Sequence, residues 1–305
     1  MLVIIGIAVV FAAVFGGFMM ERGNPYVLMQ PAELLIVGGA AAGIVLVANP
    51  AAVIRKMCFG AAAVFRSQPH TAGSYLRNLR MLYEVFSYAQ RAGVMALEED
   101  VDDPAHSRIF ANYPRFLADH ITRNFVCDSL RMIVIGVTTP NELDQLMDLD
   151  IEVQRRGSQE PVQALGTIAD ALPGLGIVAA VLGVVITMEA IGGSAQTVGQ
   201  KVAAALVGTF LGILLCYGVV GPMAARLESL SESQMQYFQV LRTAIVAFAK
   251  GASPILAVEY GRRSVPVEMR PPFMLMETTL RRDAKIPPAP APQETQSNAV
   301  EASTV

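Results

Sequence analysis

Four long stretches of this sequence carry no charged side chain. They are Met1–Met20, Leu34–Ile54, Ala171–Met188 and Val202–Ala225. Because a helix rises about 1.5 Å per residue, each stretch can cross, or nearly cross, a hydrocarbon core of about 30 Å. The composition agrees, since 53% of the 305 residues are hydrophobic, 16% are charged and the mean hydropathy is +0.45. We therefore predict an all-α integral membrane protein with four transmembrane helices.

Small residues recur on one face of each of the last two stretches. These residues recur every three or four positions, which is the spacing that places side chains on one face of a helix. The two stripes are Gly176, Ala180, Gly183 and Thr187, and Ala205, Thr209, Gly212 and Cys216. Stripes of this kind let membrane helices approach closely, so we expect the third and fourth spans to pack against each other.

Thr209 and two prolines stand out within this helical pair. The Thr209 hydroxyl has two open interpretations: a bond back to the carbonyl one turn earlier, or a position on a polar path. Proline is at home in the first turn of a helix and often marks a helix end. We therefore expect Pro173 at the start of the third span and Pro222 at the end of the fourth.

The uncharged and polar segments predict five parts of the chain. They are a transmembrane hairpin at 1–54, a helical cytoplasmic domain at 55–169, a second transmembrane hairpin at 170–222, a helical cytoplasmic tail at 223–284 and a disordered tail at 285–305. The last part is rich in proline and small polar residues, a composition typical of disorder.

Helical periodicity also predicts elements within the cytoplasmic domain. The apolar face of one helix comes from Leu76, Leu79, Tyr83 and Phe86. We expect further helices over Ala89–Leu97, over Ile121–Val137, and from Thr139 to a close at Arg155–Gly157.

The basic residues beside the spans predict the orientation of the chain in the membrane. The two short turns carry only Arg22 and Lys201, whereas more basic residues follow the second and fourth spans. Those residues are Arg55, Lys56, Arg66, Arg226, Arg242 and Lys250. By the positive-inside rule, both termini and the middle domain are expected in the cytoplasm.

Several other functions are disfavoured by the sequence. A net charge of −3 argues against a nucleic-acid partner. The cysteines and histidines form no metal or nucleophile motif, so we expect no metal site, no disulfide framework and no enzymatic activity. These residues are Cys58, Cys127, Cys216, His70, His106 and His120.

The motif at the third and fourth spans resembles a known family. Asp170–Val185, Gly208–Leu215, Tyr217-Gly218 and Gly221-Pro222 are similar to the MotA family of flagellar stator subunits. The resemblance covers roughly residues 1 to 280 in the same order of spans and cytoplasmic parts. ExbB and TolQ proteins share the last two spans but usually have three in all, so the extra amino-terminal hairpin favours MotA.

The resemblance implies a stator unit in the bacterial inner membrane. In that family five MotA chains, surrounded by lipid, ring two copies of MotB, which grips peptidoglycan, and ion flow turns the assembly against the rotor protein FliG. Pro173 and Pro222 match the prolines linked to coupling ion passage with movement, and Thr209 matches a hydroxyl near the ion path. Ala180 stands where sodium-driven relatives carry threonine, so the implied coupling ion is the proton, with no other cofactor.

The resemblance also implies a rotor-facing set of charges. Glu98 matches the family's rotor-facing acid, whereas the family's principal arginine aligns with Gln90. Arg91 follows one residue later, about 100° around a helix. Asp150 lies near another acid of the family. The rotor-contact candidates are therefore Glu98, Arg91 and Asp150, and an ordinary solvated helix face is the alternative for each.

The distribution of acids leads to an inference about the ion. The acids nearest to the spans, Glu33, Asp170 and Glu189, are expected at span ends. Proton conduction usually needs an intramembrane ionisable group, so we expect the titrating carboxylate to come from the partner's helix. Thr209 and backbone groups freed near Pro173 would solvate that carboxylate or its proton.

Two other functions fit parts of the sequence. An ExbB-like energiser of the cell envelope would need no rotor-facing charges such as Glu98 and Arg91. A membrane scaffold without ion coupling would tolerate Pro173→Ala and Thr209→Ala apart from a modest loss of packing.

Overall fold

The computed structural model describes residues 2–65, 70–189, 192 and 194–283. The regular secondary structure of these residues is helical, and four helical stretches are long and apolar enough to cross a membrane. The all-α prediction and the number of spans are thus confirmed. Contacts divide the chain into two compact units, residues 1–69 with 152–235 and residues 70–151 with 236–305. Arg66 and the predicted tail at 285–305 lie outside the described residues.

The amino-terminal segment forms three helices. They are α1 (Leu2–Met20), α2 (Pro31–Ala48) and α3 (Ala51–Val64), with a 3-10 turn at Pro25–Leu28 between the first two. The second span ends at Ala48, before the predicted Ile54. Asn49 takes extended dihedrals (φ −130°, ψ 140°), as expected of a residue before proline, here Pro50.

Four helices follow in the second unit. They are α4 (Ala72–Ala92), α5 (Glu98–Asp102), α6 (Pro114–Ala118) and α7 (His120–Ile135), with 3-10 turns at Val94–Leu97 and Phe110–Asn112. The prediction of a separate helix over Ala89–Leu97 is wrong. Helix α4 continues to Ala92 and stops at Gly93, whose φ of +90° favours glycine. The helix predicted over Ile121–Val137 corresponds to α7.

Helix α8 (Pro140–Met188) is continuous over 49 residues. Its predicted start is confirmed, but the predicted close at Arg155–Gly157 is wrong, and so is the placement of Pro173 in a first turn. Pro161 and Pro173 both lie inside the helix. An internal proline removes one backbone hydrogen bond and costs about 3 kcal/mol. Next to Pro173, the side chains of Ala169 and Leu172 are buried and belong to one apolar cluster.

The fourth span belongs to a second long helical path. Helix α9 (Ala195–Leu215) leads into a π turn (Cys216–Val220) and then into α10 (Gly221–Ala249). Pro222 is the second residue of α10, so the prediction that it ends a helix is wrong. The N–H groups in the first turn of an α-helix have no acceptor inside the helix, so a proline there removes no hydrogen bond. The wider π turn before Pro222 lets the helical path continue. The predicted divisions after 169 and 222 therefore fall inside continuous helices.

Two more helices complete the described part of the chain, and each unit has its own core. These helices are α11 (Pro254–Ser264) and α12 (Phe273–Asp283), with a 3-10 turn at Val267–Met269 between them. In the first unit, Val37 and Ala41 of α2 pack with Ala179 of α8. In the second unit, the rings of Phe86 and Phe248 stack with centroids 4.3 Å apart.

Candidate functional site

Helices α8 and α9 are in backbone contact at three glycines. A Cβ added to Gly176 would lie 2.8 Å from the carbonyl oxygen of Gly208 and 3.2 Å from the Cα of Gly212. A Cβ added to Gly212 would lie 2.5 Å from the carbonyl oxygen of Leu172. Contacts this close leave no room for a side chain. The predicted packing of the third and fourth spans through small residues is therefore confirmed.

The close contact between α8 and α9 continues about two turns beyond Gly176 along α8. A Cβ added to Gly183 would lie 2.5 Å from the Cβ of Ala205. Thr187 donates its hydroxyl to the carbonyl of Gly183 within its own helix, at 2.8 Å, and is 4% exposed. Thr187 therefore has a structural role in α8, since its hydroxyl is satisfied locally.

The Thr209 hydroxyl bridges the two helices. Its Oγ1 donates to the carbonyl oxygen of Gly176 in α8 at 3.4 Å, and the side chain is half-buried. No bond to the preceding turn of α9 accompanies it, so the first of the two open interpretations does not describe this hydroxyl. Thr209 brings a hydroxyl to a contact that small residues of α8 and α9 otherwise form, and it can exchange its weak bond for another acceptor.

The other predicted ion-path residues occupy different places. The backbone nitrogen of Ala180 would lie 3.3 Å from a Cβ on Gly208, so Ala180 is close to the residue that precedes Thr209. Pro173 is next to Leu172, whose carbonyl faces Gly212. Pro222 lies in α10, beyond the π turn, and is exposed. The structure thus brings Thr209, Ala180 and Pro173 to one helix contact and leaves Pro222 further along.

A buried acid at this contact was missed by the sequence reasoning. Glu33 is the third residue of α2 and is only 7% exposed. Its Oε2 would lie 2.6 Å from a Cβ on Gly208. Glu33 is at the end of its own span, as expected, but its carboxyl reaches the middle part of α9. The pattern Glu33, Val37, Ala41 and Val45, at every fourth residue, could have indicated a side chain that points inward.

The predicted rotor-contact residues are exposed in the second unit. Glu98 is the first residue of α5 and lines a small depression with Arg131 and Asp102. Arg131 binds Asp102 at 2.8 Å and Asp128 at 2.9 Å. Because of the hydrogen bond to Asp102, the pKa of Arg131 is raised further and the guanidinium stays charged. Sequence reasoning did not identify Arg131, since Glu98 and Asp102, which line the depression with it, belong to another helix.

The remaining charge candidates do not share that depression. Arg91 lies in the last turn of α4 and is exposed, as is Gln90 beside it. Asp150 is exposed on α8, two residues after Asp148. Two acids that precede it on α8 are held by Arg242, which binds both Asp144, at 2.7 Å, and Asp148. The basic residue that lines the same depression as Glu98 is Arg131.

The metal-ligand residue types are scattered. Among residues 2–65, 70–189 and 194–283, no group of three or more His, Cys, Asp or Glu could hold a metal ion. The three cysteines are unpaired, with Cys127 and Cys216 buried and Cys58 exposed. Burial raises the pKa of Cys127 to about 12, which keeps this thiol neutral and unreactive near neutral pH.

Comparison with known proteins identifies the family. Residues 4–93 match the model of the Motility protein A N-terminal region, and residues 117–240 match the MotA/TolQ/ExbB proton channel family. Motility protein A of Salmonella typhimurium and that of Escherichia coli are each 37% identical over 281 residues, or 92% of this chain and 95% of theirs. The chain belongs to the Motility protein A family.

Other relatives and solved structures agree with this family. Chemotaxis protein LafT of Vibrio parahaemolyticus is 35% identical over 90% of this chain and 97% of its own length. The fold is shared with C. jejuni MotAB (TM-score 0.72, 19% identity) and with the flagellar MotAB stator complex from Bacillus subtilis (TM-score 0.71, 22% identity). Both structural matches cover 87% of this chain and 96% of the other. The chain is thus a multi-pass membrane protein of a motility family.

Proposed function

We propose that this chain is a stator subunit of the bacterial flagellar motor that couples proton flow to torque. The observation that carries this proposal is the match to Motility protein A over 92% of this chain and 95% of the relative. A solved structure with the same fold is described as a flagellar MotAB stator complex. A MotB-like, peptidoglycan-binding subunit is therefore the partner that we propose.

The surface of α8 supports an assembly with other chains. Large apolar side chains on this helix are exposed, among them Ile177 at 56%, Val181 at 57% and Val185 at 57%. Such side chains need lipid or protein around them. We propose that five copies of the chain surround two copies of the MotB-like partner, with lipid on the outside of the ring.

The proposed location is the bacterial inner membrane, with both termini in the cytoplasm. Arg55 and Lys56 follow the second span within α3, and Arg226 follows the fourth within α10. On the other side the sequence carries only Arg22, in the turn after α1, and Lys201, in the first part of α9. This distribution supports the orientation through the positive-inside rule.

The proposed ion path runs along the α8–α9 contact. Thr209 offers a hydroxyl with a long, weak bond, and Ala180 leaves the path without the second hydroxyl of sodium-driven relatives, which supports protons. Pro173 leaves the carbonyl of Ala169 without its usual donor inside the helix. We propose that these groups solvate a carboxylate of the partner, and that Pro173 and Pro222 let the helices bend as its protonation changes.

The driving force is of the right size for this movement. One charge that crosses a potential of 100 mV releases about 2.3 kcal/mol. A two-state helix arrangement with a free-energy difference of that order would be switched by a single proton. The glycine contact between α8 and α9 supports such a switch, because it has no side chains to disengage.

The second unit supplies the proposed rotor-facing surface. Glu98, Arg91 and Asp150 are exposed and would contact FliG through opposite charges. Arg131 lines the same depression as Glu98 and is part of this charged surface. Reversal of one charge, such as Glu98→Lys, would then impair rotation and would be restored by a reversed charge on FliG.

Motility of cells tests the proposal against the two other functions. A strain that lacks its own motA gene is supplied with this chain and its MotB-like partner, and tethered cells are observed. We expect rotation with the wild-type chain and none with Pro173→Ala or Thr209→Ala, although both variants still copurify with the partner. Wild-type rotation together with rotation of both variants would contradict the ion path, and no rotation of an assembled wild-type complex would favour the envelope energiser or the scaffold.

A further inference from the structure

Glu33 is a buried carboxyl group that the proposed ion path does not yet use. It is 7% exposed, and its Oε2 has no hydrogen-bond partner among the described residues. Val37, Ala41 and Val45 follow it at intervals of four residues, and all three are buried. The stripe that packs α2 into the first unit thus aims this carboxyl inward.

The carboxyl lies level with the middle of the uncharged part of α8. A Cβ on Gly208 would be 2.6 Å from Oε2 of Glu33, 2.8 Å from the Cβ of Ala179 and 3.3 Å from the backbone nitrogen of Ala180. Along α8, Ala180 is about 15 Å from Asp170 and about 13 Å from Glu189. The stagger of α2 against α9 therefore places an acid deep between the ends of the longer spans.

The surroundings of Glu33 are poor in compensating charge. No ion pair of Glu33 occurs among the described residues. The titratable and charged groups on the adjacent membrane elements lie towards the ends of those elements and are Tyr26, Asp170, Glu189, Lys201, Cys216 and Tyr217. An apolar environment raises the free energy of an ionised carboxylate that has an unpaired oxygen. The charged form of Glu33 therefore loses much of its usual advantage over the neutral form, and the two lie close in free energy.

We propose that Glu33 is a proton-binding residue of the ion path, a conclusion that rests on the stator function proposed above. The Glu33 carboxylate accepts one proton from the outer side and becomes a neutral carboxylic acid. It then gives this proton to the carboxylate of the partner and returns to its ionised form, so each cycle moves one proton and leaves no net change on Glu33. Gly208 provides the space for the carboxyl, because a side chain there would overlap Oε2.

Proton uptake by vesicles tests this role. The vesicles contain the chain and its MotB-like partner with the partner's plug removed. Glu33→Gln keeps the size of the side chain but cannot titrate, and Glu21→Gln makes the same change at an exposed acid on the same outer turn. A positioned proton-transfer group raises the rate of a proton-transfer step by about 100-fold or more. Since water can replace it in part, we expect the rate of proton uptake to fall by about tenfold or more in Glu33→Gln. Glu21→Gln should match the wild type.

A shorter acid provides a second readout. Glu33→Asp keeps a titratable group but withdraws it from Gly208, so we expect partial uptake with a shifted pH profile. The infrared band of protonated carboxyl groups, measured against pH on the assembled complex, should contain a component that moves in Glu33→Asp. This measurement does not depend on transport and applies even if Glu33→Gln fails to assemble.

The outcomes separate this inference from the stator function. No uptake by wild-type vesicles would overturn the stator function itself. Wild-type uptake that is matched by Glu33→Gln, with the same pH profile, would overturn the role of Glu33 and leave the stator function intact. If Glu33→Gln does not assemble, identical infrared titrations of the wild type and Glu33→Asp would overturn the role.

Discussion

Replacement of Gly176 by alanine perturbs the α8–α9 contact at its closest point. The new Cβ would lie 2.8 Å from the carbonyl oxygen of Gly208, whereas ordinary contacts start at 3.4 Å. The backbones would have to separate by about 0.6 Å, and the Thr209 hydroxyl, already 3.4 Å from Gly176, would lose its acceptor. Since the neighbouring atoms belong to the backbone, rotation of a side chain cannot relieve the overlap.

The magnitude follows from two opposing effects. Overpacking costs about 1–3 kcal/mol, and alanine in place of glycine in a helix gains about 1 kcal/mol. Gly176→Ala should thus range from nearly neutral to about 2 kcal/mol less stable. Gly174 is a matched control, because it lies in the same helix and a Cβ there meets nothing within 4 Å. Gly174→Ala should be about 1 kcal/mol more stable than the wild type.

Unfolding in sodium dodecyl sulfate measures this difference. The midpoint is followed by circular dichroism for the purified wild type and both alanine variants. We expect Gly176→Ala to unfold at a lower detergent fraction than Gly174→Ala, with a difference in free energy of about 1–3 kcal/mol. If Gly176→Ala is as stable as Gly174→Ala or more so, the close backbone contact is not what holds these helices together.

Three further predictions concern groups outside the spans. Arg242→Ala should lower the free energy of unfolding by about 1.5–3 kcal/mol in chemical unfolding, because Arg242 is 19% exposed and holds two carboxylates. Lys56→Ala should cost at most about 1 kcal/mol, because its pair with Glu160 is half-exposed. Equal losses in the two variants would contradict this ranking. Cys127 should resist maleimide at pH 8 until the protein is unfolded, since burial raises its pKa to about 12, and rapid labelling of the folded protein would refute its burial. Hydrogen bonds from Arg155 and Arg156 lower the pKa of Glu152 to about 2. The ionised Glu152 therefore stabilises the protein above about pH 4.5, and this stabilisation is lost as the pH falls towards 2. Glu152→Gln should lose less stability than the wild type over that range, and an identical pH dependence would refute the ion pairs of Glu152 with the two arginines.

The spans were predictable from sequence because their signal is local. Uncharged stretches such as Ala171–Met188 have few alternatives to a membrane or a large core. The contact between α8 and α9 was predictable too, since Gly176, Gly183, Ala205 and Gly212 repeat at helical spacing. The order of two spans, a polar domain and two spans was equally visible.

The positions of helix ends and the depth of Glu33 were not predictable in the same way. Prolines such as Pro161 and Pro173 often mark helix boundaries, but α8 continues through both. Buried packing at Leu165 follows the first, and buried packing at Ala169 and Leu172 lies beside the second. The level of Glu33 depends on how α2 is staggered against α9, which no local pattern encodes. Likewise, Glu98 shares its depression with Arg131, a residue from α7 that is distant in sequence.

Ion flux in vesicles tests the central claim most directly. Vesicles that carry the chain alone, or the chain with its MotB-like partner after removal of the plug, are placed under a proton gradient with and without sodium. Partner-dependent proton uptake that ignores sodium and falls in Thr209→Ala is the predicted result. Uptake without the partner, uptake that requires sodium, or no uptake under any gradient would contradict a proton path formed by α8 and α9 with the partner.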